Sequence, residues 1–144
     1  MKGSQKRNIS DYQIQYKNHG FEEIMVEYRR KNILEQMSKY RCESILEIGC
    51  GNQPIGMYYE NYSKMVIVEP GKQFYQSALR LKSESHNKQI ICFNNYIEDV
   101  INDLSKYKFD FIILSSLLHE ISNNLEILQK ILLLCNKNTI VHIN

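Results

Sequence analysis

An α/β domain built on a doubly wound parallel sheet is the fold this sequence predicts, on three observations. Short apolar runs alternate with segments of helical periodicity along most of the chain. The runs are apolar almost throughout, as strands covered on both faces are. Gly49 and Gly51 directly follow the first run, where a strand must turn sharply into the next element. Right-handed crossovers then place helices on both faces of about five strands, in the order 3-2-1-4-5.

The elements follow in order. Residues 1–40 form a polar N-terminal segment and a helix, ahead of the α/β domain at 41–144. Phe21, Ile24, Met25, Tyr28, Leu34 and Met37 recur at helical spacing, so a helix is expected from Phe21 to Lys39, with Arg29, Arg30 and Lys31 on its wet side. Ser44–Ile48 reads as a buried strand. A weak helical stretch is expected from Pro54 to Tyr62, with Pro54 tolerated in its first turn. Lys64–Glu69 reads as the second strand, stopped by Pro70-Gly71. A helix over Lys72–Glu84 leads to a third strand at Gln89–Phe93 and a short helix over Ile97–Lys106. Phe109–Ser115 is apolar enough to be a central strand. Ser122 or Asn123 can cap a helix over Asn124–Cys135, and Thr139–Ile143 is the fifth strand.

Composition narrows the function. The 144 residues carry a net charge of +2 and 24% charged residues. That balance lacks the clustered basic footprint of nucleic-acid binders. No apolar run reaches the roughly 20 residues of a membrane span, and no basic-then-apolar start suggests a signal peptide. Cys42, Cys50, Cys92 and Cys135 form no C-x-x-C pair, which suits reduced thiols and a cytoplasmic location. His119-Glu120 begins like a zinc-protease H-E-x-x-H motif, but Asn123 stands where the second His belongs, so no metal is expected.

In such a sheet ligands bind beyond the carboxyl ends of the strands. Strand one ends in Glu47-Ile48-Gly49-Cys50-Gly51-Asn52, and Glu69 follows 20 positions after Gly49. A carboxylate there can accept both hydroxyl protons of a ribose. A full G-x-G-x-x-G would need glycine at 54, where Pro54 stands, which disfavours a pyrophosphate on a helix N-terminus. Glu47 would attract a cationic group instead. An adenosine ligand with an amino group and a sulfonium, but no phosphate, fits both observations.

I-L-E-I-G-C-G-N (45–52) resembles motif I of the class I S-adenosylmethionine-dependent methyltransferases, V-I-V-E-P (66–70) their second motif, and F-D-F-I-I-L-S-S-L-L-H-E-I (109–121) their fourth-strand motif. The resemblance implies a Rossmann-like fold over roughly 41–144, with S-adenosylmethionine as cofactor and S-adenosylhomocysteine as product. It implies that Glu47, Gly49 and Gly51 flank the methionine part, that Glu69 takes the ribose hydroxyls, and that Pro70 lies beside the adenine. Glu98 or Asn95 would take the adenine amino group, with the backbone around Ile97 helping. Ser115 is placed at the cofactor by the same likeness. His119 would be a general base, a structural histidine or a gate over the cofactor. Tyr12, Tyr16, Tyr58 and Tyr59 are pocket or packing candidates.

The implied reaction is methyl transfer to a small-molecule acceptor, such as a sugar or natural-product intermediate. The alternatives are a non-catalytic cofactor-binding subunit or the scaffold half of a heteromer. The family sheet carries two further strands, an antiparallel hairpin, after strand five. The sequence stops at Asn144, so the expectation is a short or truncated chain, or one completed along strand five by a second copy or another subunit.

Overall fold

The computed structural model describes residues 20–115, 117–118 and 121–144. Five parallel strands form one sheet in the order β3-β2-β1-β4-β5: β1 Ser44–Ile48, β2 Lys64–Val68, β3 Gln89–Phe93, β4 Phe111–Leu114 and β5 Ile140–Ile143. The helices are α1 Gly20–Tyr40, α2 Lys72–Glu84, α3 Ile97–Leu104 and α4 Asn124–Leu133. The expected fold class and strand order are therefore those found.

Strand alternation divides the core into two layers. Leu46, Ile48, Val66, Val68, Ile112 and Leu114 point to one face and pack with Ile97, Val100, Ile101 and Leu104 of α3 and Ile127 and Ile131 of α4. Ile45, Met65, Ile67, Phe111 and Ile113 point to the other and pack with Ile33 and Met37 of α1 and Ala78 and Leu81 of α2. Full burial of each such side chain contributes about 1.5–3 kcal/mol. Both faces are covered, which explains why the strands read as continuous apolar runs.

Three expectations change. The helix expected after Pro54 is a single 3-10 turn, Ile55–Met57. Gly56 lies inside it, and its backbone is pressed against Leu81, Met65 and Tyr62, so the chain turns and packs there instead of extending. In α1, Ile24 and Tyr28 are exposed, and the buried contacts come from Ile33 and Met37. Nor are Arg29 and Arg30 on a wet face: both are half-buried. Arg29 pairs with Glu22 at 3.4 Å, and Arg30 reaches across to the segment after β1. Elsewhere boundaries move by a residue or two, and one helix cap differs. At the head of α4, Asn123 bonds the Glu126 side chain rather than a backbone N–H.

Candidate functional site

The strand register builds the site. Ile48 is level with Val68 and Leu114, Val68 with Phe93, and Leu114 with Ile143. The residues that follow, Gly49, Glu69, Asn94 and Ser115, therefore lie along one rim at the carboxyl ends. The strand order reverses at β1, between β2 and β4, which is where a crevice opens in this architecture.

Gly49 and Gly51 both adopt left-handed backbone, with φ of 78° and 59°. A side chain costs roughly 1–2 kcal/mol in that region. Gly49 N–H donates to the Val68 carbonyl at 2.9 Å, which carries the β1–β2 ladder one step past the strands. A Cβ on Gly51 would meet no atom within 4 Å, so this turn faces open space. A ligand could approach its backbone there.

Glu69 is 4% exposed. Its Oε2 accepts from Gly51 N–H at 3.1 Å and its Oε1 from Gly71 N–H at 2.8 Å. Those two bonds fix the carboxylate between the glycine turn after β1 and the loop after β2. The main chain at Glu69 is fixed from β3: its N–H donates to the Phe93 carbonyl at 2.9 Å. Asn94 donates from its amide to the carbonyls of Glu69 at 2.8 Å and Pro70 at 3.2 Å. Its bracing of the Glu69-Pro70 loop had no sequence signal.

Glu47 is 6% exposed. Alternation along β1 sends it to the α1 and α2 side of the sheet, where Ile55 N–H donates to Oε1 at 3.2 Å and to Oε2 at 3.0 Å. No cation pairs with it among the described residues. Burial pushes its carboxyl up to about 8; the Ile55 N–H counters this and the nearby Glu69 charge adds to it. A buried carboxyl held by one N–H and facing another carboxylate suits a cationic ligand group, which would favour its ionised form. Cys50 is buried beside both acids, and burial first, then their charges, push its thiol far up. It is a packing residue, inert as a thiolate.

The remaining candidates fall in several places. Pro70 and Ser115 are half-buried at the rim. Ile97 is 2% exposed with its side chain in the α3 layer, so only its backbone is available to a ligand. Glu98 and Asn95 are exposed close by, at the start of α3 and just before it. Tyr59 packs, its hydroxyl donating to the carbonyls of Cys42 at 3.0 Å and Met37 at 3.3 Å. Tyr58 lies on the surface under Arg30. His119, Tyr12 and Tyr16 lie outside the described residues. Among the described residues no helix is long and apolar enough to cross a membrane.

No protein-family model matches the sequence, and no curated protein matches it at the sequence level. Solved structures do match the fold. A plantazolicin methyltransferase in complex with S-adenosylhomocysteine superposes with a TM-score of 0.62 at 15% identity, over 81% of this chain and 48% of its own. A Staphylococcus aureus protein assigned to the caffeoyl-CoA O-methyltransferases gives 0.64 at 12% identity, over 94% and 70%. The N-terminal domain of EvdMO1, crystallised in the presence of S-adenosylhomocysteine and D-fucose, gives 0.60 at 12% identity, over 79% and 49%. The chain thus spans about half the length of the first and third of these. With its sheet order, its glycine turn after β1 and its acid after β2, this chain has the fold of the class I S-adenosylmethionine-dependent methyltransferases.

Proposed function

We propose that the chain binds S-adenosylmethionine at the rim formed by β1, β2 and β3 and takes part in methyl transfer to a small-molecule acceptor. The observation that carries the reading is the placement of Glu69: a buried carboxylate at the end of β2, oriented by the Gly51 and Gly71 N–H groups beside the open glycine turn, where a ribose would lie. Three features support the fit. The Gly51 turn opens to space, Glu47 is a buried acid without a cationic partner among the described residues, and no glycine N-terminus is laid out for a pyrophosphate. When bound, the cofactor supplies a methyl group already activated on a sulfonium.

The residues of this chain would then bind and align. Glu69 takes the ribose, Glu47 faces the cationic methionine end, and Gly49 and Gly51 let the backbone approach. Pro70, the Ile97 backbone and Glu98 or Asn95 border the adenine, and Ser115 closes the rim beside β4. His119 is the candidate to accept a proton from a protonated nucleophile. Alignment of acceptor and methyl is the main contribution left to the protein.

The acceptor class rests on the company of the fold: structures of the plantazolicin enzyme and of the EvdMO1 domain with D-fucose point to natural products and sugars. Strand β5 lies at the sheet edge with Ile143 47% exposed, the place for added strands from a second copy or another subunit.

Calorimetry with S-adenosylhomocysteine tests the reading. Micromolar binding by the wild type, lost in Glu69→Ala, is expected. No heat at millimolar ligand would sink it. Methyl transfer to an acceptor, alone or with a partner, then separates an enzyme from a binding subunit.

A further inference from the structure

Arg30 has no place in the motifs, yet from α1 it reaches the segment that follows the β1 turn. Its Nη1 donates to Gln53 Oε1 at 2.5 Å, and its guanidinium carbon sits 4.0 Å from the centroid of the Tyr58 ring. Its side chain is 19% exposed, and Nη2 is steadied by Glu27 at 3.9 Å. Gln53 and Tyr58 are the two ends of a short segment that bonds within itself and packs through Gly56 against Leu81, Met65 and Tyr62, whose hydroxyl donates to the Gly56 carbonyl at 3.5 Å. Met57 N–H donates to the Pro54 carbonyl at 3.0 Å, and Tyr58 N–H to the Ile55 carbonyl at 3.0 Å. Pro54, Ile55 and Gly56 between them are buried. Among the described main-chain bonds of this segment, Ile55 N–H is the donor that reaches the site, and it goes to Glu47.

We infer that Arg30 is a positioning residue: from α1 it grips both ends of the 53–58 segment and so holds the Ile55 N–H against the Glu47 carboxyl. This deepens the cofactor-binding reading and rests on it for its effect on ligand affinity. The planar guanidinium suits the task, because it can stack on Tyr58 and hydrogen-bond Gln53 at once; a lysine ammonium could keep the ring contact but not the fork. The Tyr58 N–H bond to the Ile55 carbonyl ties the gripped end of the segment to its middle. The ionisable groups around Glu47 are Glu69 at the end of β2, Cys50 in the following turn and Tyr62 ahead of β2. None of them donates to Glu47. The Ile55 N–H is the only described group that favours the charged form, so anything that loosens it makes the carboxyl harder to ionise.

The test reads Glu47 directly. Carboxyl carbon-13 NMR of the ligand-free protein follows its titration in the wild type, Arg30→Ala, Arg30→Lys and Gln53→Ala. The wild-type midpoint is expected near 8. Arg30→Ala should raise it by about 1 pH unit, with Arg30→Lys between the two. Gln53→Ala cuts half the grip from an exposed side chain without touching α1, and should move the midpoint the same way by less. In parallel, S-adenosylhomocysteine affinity at pH 7 should fall about tenfold in Arg30→Ala, since the carboxyl, now a weaker acid, must release its proton to solvent before it pairs with the ligand's cation. A lower melting temperature with an unmoved midpoint in all three variants would overturn the proposal, because Arg30 would then be only a packing residue. If the wild type binds no S-adenosylhomocysteine, the cofactor reading fails, while the ligand-free titration still decides whether Arg30 controls Glu47.

Discussion

Replacing Glu47 by Gln keeps the side chain's shape and an oxygen for the Ile55 N–H while removing a buried charge. In the native fold this carboxyl is pushed from 4.5 up to about 8, chiefly by burial. Its proton is therefore held more tightly folded than unfolded. Linkage then makes wild-type stability fall as pH rises from about 4.5 to about 8, and level off above that. Each pH unit of difference is worth about 1.4 kcal/mol, so the full window amounts to something on the order of 3–5 kcal/mol. Below the window the native carboxyl is neutral and the wild type and Glu47→Gln should be nearly equal in stability. At pH 9 the Gln variant should be the more stable by a few kcal/mol, although it sits in the proposed cofactor seat and should bind the cofactor less well. Urea unfolding of both proteins at pH 5, 7 and 9 measures the divergence, with the rest of the chain's titration common to both. Parallel stability curves across that range would refute the claim that Glu47 is buried without a compensating cation.

Other substitutions probe the same frame. Gly56→Ala would drive a Cβ to 2.8 Å from Leu81 Cδ2, Met65 Sδ and the Tyr62 hydroxyl, and should cost about 1–3 kcal/mol in urea unfolding. Gly51→Val meets no neighbour but must hold φ near 59°, so it should lose roughly 1–2 kcal/mol of stability and weaken S-adenosylhomocysteine binding in calorimetry. Cys50 should resist alkylation in the native protein and react once urea unfolds it, because burial and two neighbouring acids disfavour its thiolate; fast native labelling read by mass spectrometry would contradict this.

The strands and most helices were legible because their signals are local. Ser44–Ile48, Gln89–Phe93 and Lys72–Glu84 keep the bounds that apolar runs and turn residues suggest. Glu69 stood out as a candidate by its offset to the glycine pair, and its burial follows from its place at a strand end between two covered faces. What failed depended on tertiary contacts. Pro54 reads as a helix start, but the packing of Gly56 against Leu81 and Met65 allows only one turn. Ile24 and Tyr28 have core-like spacing, yet only the second half of α1 reaches the sheet. The Arg30–Gln53 bond spans 23 positions and Asn94–Glu69 spans 25, distances at which no periodicity speaks.

Alternation along β1 also gives Glu47 a part in folding that no ligand is needed to explain. A one-residue slip of β1 against its neighbours would turn its carboxyl out of the layer holding Ile55 N–H and into the wholly apolar layer among Val66, Val68, Ile112 and α3. Ile48 and Leu46 would move the other way at little cost, since both layers accept aliphatic side chains. In a strand whose remaining core residues are nearly interchangeable between faces, this single acid tells the chain which way round to pair.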